Sequence, residues 1–439
     1  MPLLFVRFPR LFAIALGLTP GLLGGQAPPG SCNTFCLSRL ARAALAAGHN
    51  ADFLMYARRV AARAPDHPGA IYAVASGFAL VGEADSALAW LNRLAEIGAS
   101  RAPVSDSSFA GLWTLPAFGT MQARLDANRR PVIHGKMAFQ LPDPDLVPEA
   151  LAWDPSSRSW FVGSLSKRKV IRVQPSGAVT DFLSAPDVLR VVGIHVDSAR
   201  GLLWFATWAP RSSVEGSQDE PPSESRLFKC DLGTGRILHR YSPADSGTSH
   251  LFNDVALASN GDVFITDTEQ GWLYRIGADA DSLEVFLRPD PDEWSGANGI
   301  TLTGDDRTLY IAFVEGIARM NLATRQLVRL GSPAGTSTAQ LDGLYWDRGA
   351  LLGIQNQRGL EQVVRYQLAA DGRSIMSERV LERGDSLLRR PTTGALVGRQ
   401  FYYIANSQFE RLGYDNRLSP ATDSTKVLTT VRVVDLQEH

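Results

Sequence analysis

Apolar and polar positions change period once along the chain. From about residue 33 to residue 128 the apolar residues recur at helical spacing. Leu37, Leu40, Ala41, Ala44 and Leu45 share one face of a first predicted helix. Phe53, Leu54, Tyr56, Ala57, Val60 and Ala61 mark a second, which stops before Pro65. Asp66-His67-Pro68 opens a third that runs through Ile71, Ala73, Val74, Phe78 and Leu80 to Gly82, and Ala84 to Leu91 opens a fourth. Phe109 to Phe118 reads as a further, terminal helix, and Asn128-Arg129-Arg130-Pro131 as a linker. From Ile133 onward strand signals dominate.

The strand region divides into six units. They open near Glu149, Val191, Asn253, Asn298, Asp342 and Thr392. Their apolar centres include Trp160-Phe161-Val162, Leu203-Trp204-Phe205, Val263-Phe264-Ile265, Leu309-Tyr310-Ile311, Leu351-Leu352 and Phe401-Tyr402-Tyr403-Ile404. Turn pairs such as Asn260-Gly261 and Asp371-Gly372 separate strands. A strand-rich period of about 45 residues predicts a radial repeat. The predicted fold is therefore mainly β, a six-bladed β-propeller over 133–439 preceded by a small α-helical array over 31–128. Lys136 to Leu141 precedes the first unit and is expected to close the ring as the outer strand of the last blade.

Composition adds little about partners and more about compartment. The hydrophobic share of 45% in 439 residues permits a large core, and a net charge of −1 gives no electrostatic case for nucleic acid. Arg7 and Arg10, the apolar run Leu11 to Leu23 and the small residues before Ala27 read as a secretory signal over 1–27. The run is too short for a membrane span, so a secreted or periplasmic protein with no span after signal removal is expected. A lipid anchor at Cys32 is the weaker alternative, because Pro29-Gly30-Ser31 lacks the aliphatic residue that such a site needs. Cys32 and Cys36 could pair, although cysteines four apart on a regular helix bridge poorly, with Cys230 left over.

In a propeller the innermost strand of each blade lines the channel, and its first residues sit at one end of the ring. Glu149, Asn253, Asn298 and Asp342 take that place in four units, whereas Val192 and Thr393 take it in the other two. Two carboxylates and two amide oxygens make a hard-oxygen site suited to Ca²⁺, with Mg²⁺ or Mn²⁺ as alternatives. A structural reading is open for each residue, since Asn or Asp before Gly is also a common turn pair. His250, three residues before Asn253, could contact substrate at the mouth or be a loop histidine. His195 is expected to be structural, and Asn356 and Asn406 to be turn residues.

Two stretches carry a family resemblance. They are Ala297-Asn298-Gly299-Ile300-Thr301-Leu302 with Asp305-Asp306-Arg307-Thr308-Leu309-Tyr310, and Leu341-Asp342-Gly343-Leu344. Over about residues 145 to 410 the chain resembles the senescence marker protein/gluconolactonase family, and more distantly the paraoxonases and strictosidine-synthase-like proteins. The resemblance implies metal binding by Glu149, Asn298 and Asp342, with Asn253 beside the metal, holding substrate, and Asp342 also as general base. It implies hydrolysis of a lactone or ester, with Asp342, or a water it orients, as the base, or else a cation-activated water as the attacking group. The family's Glu-Gly-Pro start is here Glu149-Ala150-Leu151, and Leu251 stands where sugar lactonases carry a substrate-binding Arg. The helical pairs resemble tetratricopeptide repeats, and two readings of them are open: a packed helical cap on the propeller, or a groove that docks a peptide or protein partner. No GxSxG, HExxH or P-loop motif is present. Two functions follow as expectations: an exported, metal-dependent lactone or ester hydrolase, or a non-catalytic envelope scaffold with a metal-stiffened propeller.

Overall fold

A computed structural model describes residues 32–210, 222–245, 247–413, 415, 417–420 and 428–437. The predicted leader, 1–27, lies outside the described residues, as does 211–221 within the second unit. Helices α1 (Thr34–Ala46), α2 (Asn50–Arg63), α3 (Pro68–Leu80), α4 (Ala84–Glu96) and α5 (Pro116–Ala127) form the N-terminal part. Asn33 caps α1 by accepting from the Cys36 N–H. His67 caps α3 through Nδ1, which accepts from the Gly69 and Ala70 N–H groups, with Pro68 in the first turn.

The third helix is apolar nearly all round, because it has a core on each side. Ala70 and Val74 join Leu37, Phe53 and Val60 in one core, while Ile71, Tyr72 and Ala75 join Leu88, Leu91 and Phe109 in the other. The predicted helix over Phe109 to Phe118 is instead a 3₁₀ turn, Ser107–Leu112, followed by α5 from Pro116. Proline lacks the N–H needed to continue a helix but suits its first turn. Cys32 and Cys36 are disulfide-bonded. The poor geometry expected of a helical pair does not apply, because Cys32 precedes the cap of α1 and only Cys36 is helical. Among the described residues no helix is long and apolar enough to cross a membrane.

The described strands form six sheets, in chain order around one ring. The innermost strands are Pro148–Asp154, Arg190–Asp197, Phe252–Leu257, Ile300–Leu302, Gly343–Asp347 and Gly394–Val397, taken as blades one to six. Lys136–Gln140 pairs with Thr430–Asp435 as the outer strand of blade six, so a strand that precedes blade one closes the ring as expected. Val132–Ile133 adds a fifth strand to blade five, beside Ile375–Arg383. This addition is too short for alternation to reveal.

A separate apolar core fills each of the six junctions between neighbouring blades. Phe161 meets Phe205 and Phe228 between blades one and two, and Trp204 meets Ile265 and Tyr274 between two and three. Phe264 meets Leu309 and Ile311, Tyr310 meets Leu351 and Val364, and Ile354 meets Phe401 and Tyr403. Ile404 and Val431 meet Leu151 and Val162 across the closure. Each fully buried Phe or Leu contributes about 1.5–3 kcal/mol. The ring is held by these face-to-face cores, while backbone pairing holds each blade.

Candidate metal centre

The inner strands place the four predicted residues at one end of the channel by two local devices. In blades four and five, backbone pairing begins at the site. The Asn298 N–H donates to the Ala312 carbonyl at 2.9 Å, and the Asp342 N–H donates to that of Ile354 at 2.8 Å. In blades one to three the register breaks at the same place: between Pro148 and Ala150, between Val191 and Gly193, and between Phe252 and Val255. A bulge there re-aims the side chains of Glu149, Val192 and Asn253 without disturbing the strand beyond.

The glycines after the site residues serve close approach rather than a turn. A Cβ on Gly299 would lie 2.7 Å from the Leu344 N and 2.9 Å from the Asp342 carbonyl oxygen. The inner strands crowd where the ring narrows, so only glycine fits. Gly193 likewise abuts the Asn253 carbonyl.

Asp342 is the hub. Its Oδ1 accepts from Asn298 Nδ2 at 3.1 Å and its Oδ2 from Asn356 Nδ2 at 2.7 Å. Asn356 is therefore not a turn residue; it lies within the strand Ala350–Gln357 and fixes the Asp342 carboxylate. Asn406 by contrast bonds the backbone of Leu428 and Thr430, in a structural role. Because Asn298 gives its N–H to Asp342, its Oδ1 is left over, and that oxygen is buried without a partner. Glu149 Oε2 is also buried without a partner.

Electrostatics joins Glu149 to the same group. Desolvation holds its carboxyl well above the ordinary range, and the Asp342 charge adds to the shift. Desolvation also pushes Asp342 up to about 7, helped by Asp254 and opposed by the two amides and Arg390. These side chains line a channel and are part-exposed, yet protein surrounds them closely enough for desolvation to dominate.

Asp254 is a residue that sequence reasoning missed. Its oxygens accept from the Val255 and Ile300 N–H groups, and desolvation pushes its pKa up to about 7. Asp254 also acts on Asp342 and on Tyr345, whose hydroxyl accepts from the Gly394 N–H at 2.6 Å. Strict alternation sends the neighbours Asn253 and Asp254 to opposite faces, and the bulge cancels that rule. The polar pair at the head of an apolar strand was the available signal.

The other two predicted residues sit apart from this hub. Asn253 Nδ2 donates to Thr268 Oγ1 at 2.9 Å, and Thr268 donates to the Ala297 carbonyl, next to Asn298. His250 is 2% exposed, with Nδ1 at 2.6 Å from Asp267 Oδ2 and a ring flanked by Phe252, Trp272 and Tyr274. Its Nε2 is buried without a partner.

Glu149, Asn298 and Asp342 fit a hard cation on two counts. Two buried oxygens lack donors, and two carboxylates are desolvated near one another. Among the described residues no three His, Cys, Asp or Glu side chains converge closely enough to hold an ion. Amide oxygens and water must therefore complete any shell.

No family profile matches the chain, and no curated protein matches it. Solved structures match at low identity. A gluconolactonase of Xanthomonas campestris is 16% identical over 70% of this chain and 94% of its own, with a TM-score of 0.47. A luciferin-regenerating enzyme is 15% identical over 70% of this chain and 96% of its own, also at 0.47. Virginiamycin B lyase of Staphylococcus aureus is 15% identical over 67% and 83%, at 0.45. At these values the likeness is one of fold alone, the six-bladed propeller.

Proposed function

We propose that the channel binds Ca²⁺ through Glu149, Asn298 and Asp342, with Asn253 beside it and Mg²⁺ or Mn²⁺ as alternatives, and that the protein hydrolyses a lactone or ester there. The observation that carries this reading is the pair of donorless buried oxygens, Glu149 Oε2 and Asn298 Oδ1, grouped around the doubly bonded Asp342. When bound, the cation supplies Lewis-acid polarisation of the substrate carbonyl.

The chain's own residues supply the rest. Asn298 and Asn356 hold the Asp342 carboxylate in one orientation, so that it orients water against the carbonyl carbon and accepts its proton. Tyr345 stays phenolic, because desolvation and the neighbouring carboxylates hold its pKa well above the usual value. Its oxygen already accepts from Gly394, so its proton remains for a donor role. Asn253, tied through Thr268 toward Asn298, contacts substrate from blade three with His250 behind it. Leu251 offers no charge for a sugar hydroxyl or phosphate, which favours a less polar substrate. The Cys32–Cys36 disulfide supports export to an oxidising compartment.

A panel of lactones and aryl esters, assayed with and without chelator, tests the reading. Turnover that chelation removes and Ca²⁺ restores is expected, with Asp342→Asn reducing kcat by at least about a hundredfold. Absence of turnover across the panel, alongside Ca²⁺-dependent thermal stability, would instead favour the scaffold function.

A further inference from the structure

The helical domain docks on the end of the ring that carries the proposed cation site. Its contacts fall on turns and connectors at the heads of the inner strands. Arg63 pairs with Asp292 at 2.8 Å, Thr34 Oγ1 lies 2.5 Å from Glu315 Oε1, and the Ser100 N–H donates to the Gly359 carbonyl at 2.7 Å. The densest contact is made by two residues between α2 and α3. Asp66 accepts from both the N–H and the hydroxyl of Thr338, and its carbonyl accepts from Ser337 Oγ. His67 Nε2 lies 2.7 Å from Gln340 Oε1. Asp66 and His67 thus clasp residues 337–340, which lead directly into Asp342.

The chemistry of the clasp fixes its direction. His67 Nδ1 already accepts two backbone N–H groups at the head of α3, so the ring proton sits on Nε2 and donates to Gln340. Desolvation lowers the His67 pKa, which favours that neutral form. Gln340 needs the support. Its φ is +49°, a left-handed conformation that a long side chain rarely adopts. Its N–H donates to the Phe313 carbonyl, and its own carbonyl accepts from Gln357 Nε2. The buried Leu341 then delivers Asp342 to the channel.

We infer that His67 and Gln340 are positioning residues for the cation site, so that docking of the helical domain sets the cation affinity of the propeller. This inference rests on the Ca²⁺ reading above.

Calorimetric titration of Ca²⁺ into the full-length chain, freed of metal, tests it without any need for activity. His67→Asn keeps a good helix cap but loses the reach to Gln340, and Gln340→Asn tolerates the left-handed backbone. Each is expected to weaken Ca²⁺ binding by about tenfold, as outer partners of metal ligands do. The double variant is expected to be no weaker than either single one. Asp292→Ala removes the acceptor of Arg63, a domain contact that does not touch residues 337–342, and should leave the affinity at the wild-type value. Wild-type affinity in His67→Asn, or additive losses in the double variant, would overturn the inference while leaving the cation reading intact. No Ca²⁺ binding by the wild-type chain would overturn the cation reading, and this inference with it.

Discussion

At the scale of single residues, the site is defined by which oxygens lack donors. Asn298 is consumed on its nitrogen side by Asp342, and this frees its oxygen. The raised pKa values of Glu149, Asp254 and Asp342 have a consequence for the metal-free protein. In the unfolded chain these groups ionise near 4, so between that value and about 7 the folded state binds more protons. Stability of the metal-free protein is therefore expected to fall as pH rises from about 4.5 through 7, and thermal unfolding followed across that window checks it. Added Ca²⁺ should raise the melting temperature more at pH 8 than at pH 5. A pH-independent melting temperature without metal would show that the carboxylates are not desolvated together. Glu149, Asn298 and Asp342 could be singled out as candidates in the sequence because they take one place in units one, four and five. Asp254 and Asn356 could not. A bulge hides Asp254, and Asn356 has the pattern of a turn residue until its strand is seen to extend through it.

At the scale of elements, the inner strands do two jobs that compete for space. They crowd to narrow the channel, and they must still aim polar side chains into it. Gly299 shows the compromise. Gly299→Ala would push a methyl into the Leu344 and Asp342 backbone and is expected to destabilise the fold by about 1–3 kcal/mol, read from denaturant unfolding. A smaller loss would mean that blades four and five can spread apart. The six-unit layout was legible because alternation and turn pairs repeat with each blade, and even the closing strand at Lys136 had a vacant place waiting for it. The extra strand Val132–Ile133 and the break of the helix before Pro116 were not. The strand is only two residues long, and the break lies at Pro116, which opens a new helix although the apolar period runs on across it.

At the scale of the whole molecule, the helical hairpins meet the end of the ring that carries the proposed cation site. Sequence patterns showed that helices precede strands, but nothing in them said which end of the propeller the helices would meet. That information lies in long-range contacts, such as His67 with Gln340 and Thr34 with Glu315. The arrangement makes the N-terminal helices part of the site's surroundings rather than a detached module, and their free faces remain available to a protein partner under the scaffold function. Both proposed functions share one requirement, a cation at the channel's end. Direct titration of Ca²⁺ into metal-free wild-type protein and into Asp342→Asn tests it. Saturable one-site binding in the wild type, weakened at least about a hundredfold in the variant, is the expected result. Equal binding by both proteins, or none by the wild type, would contradict it.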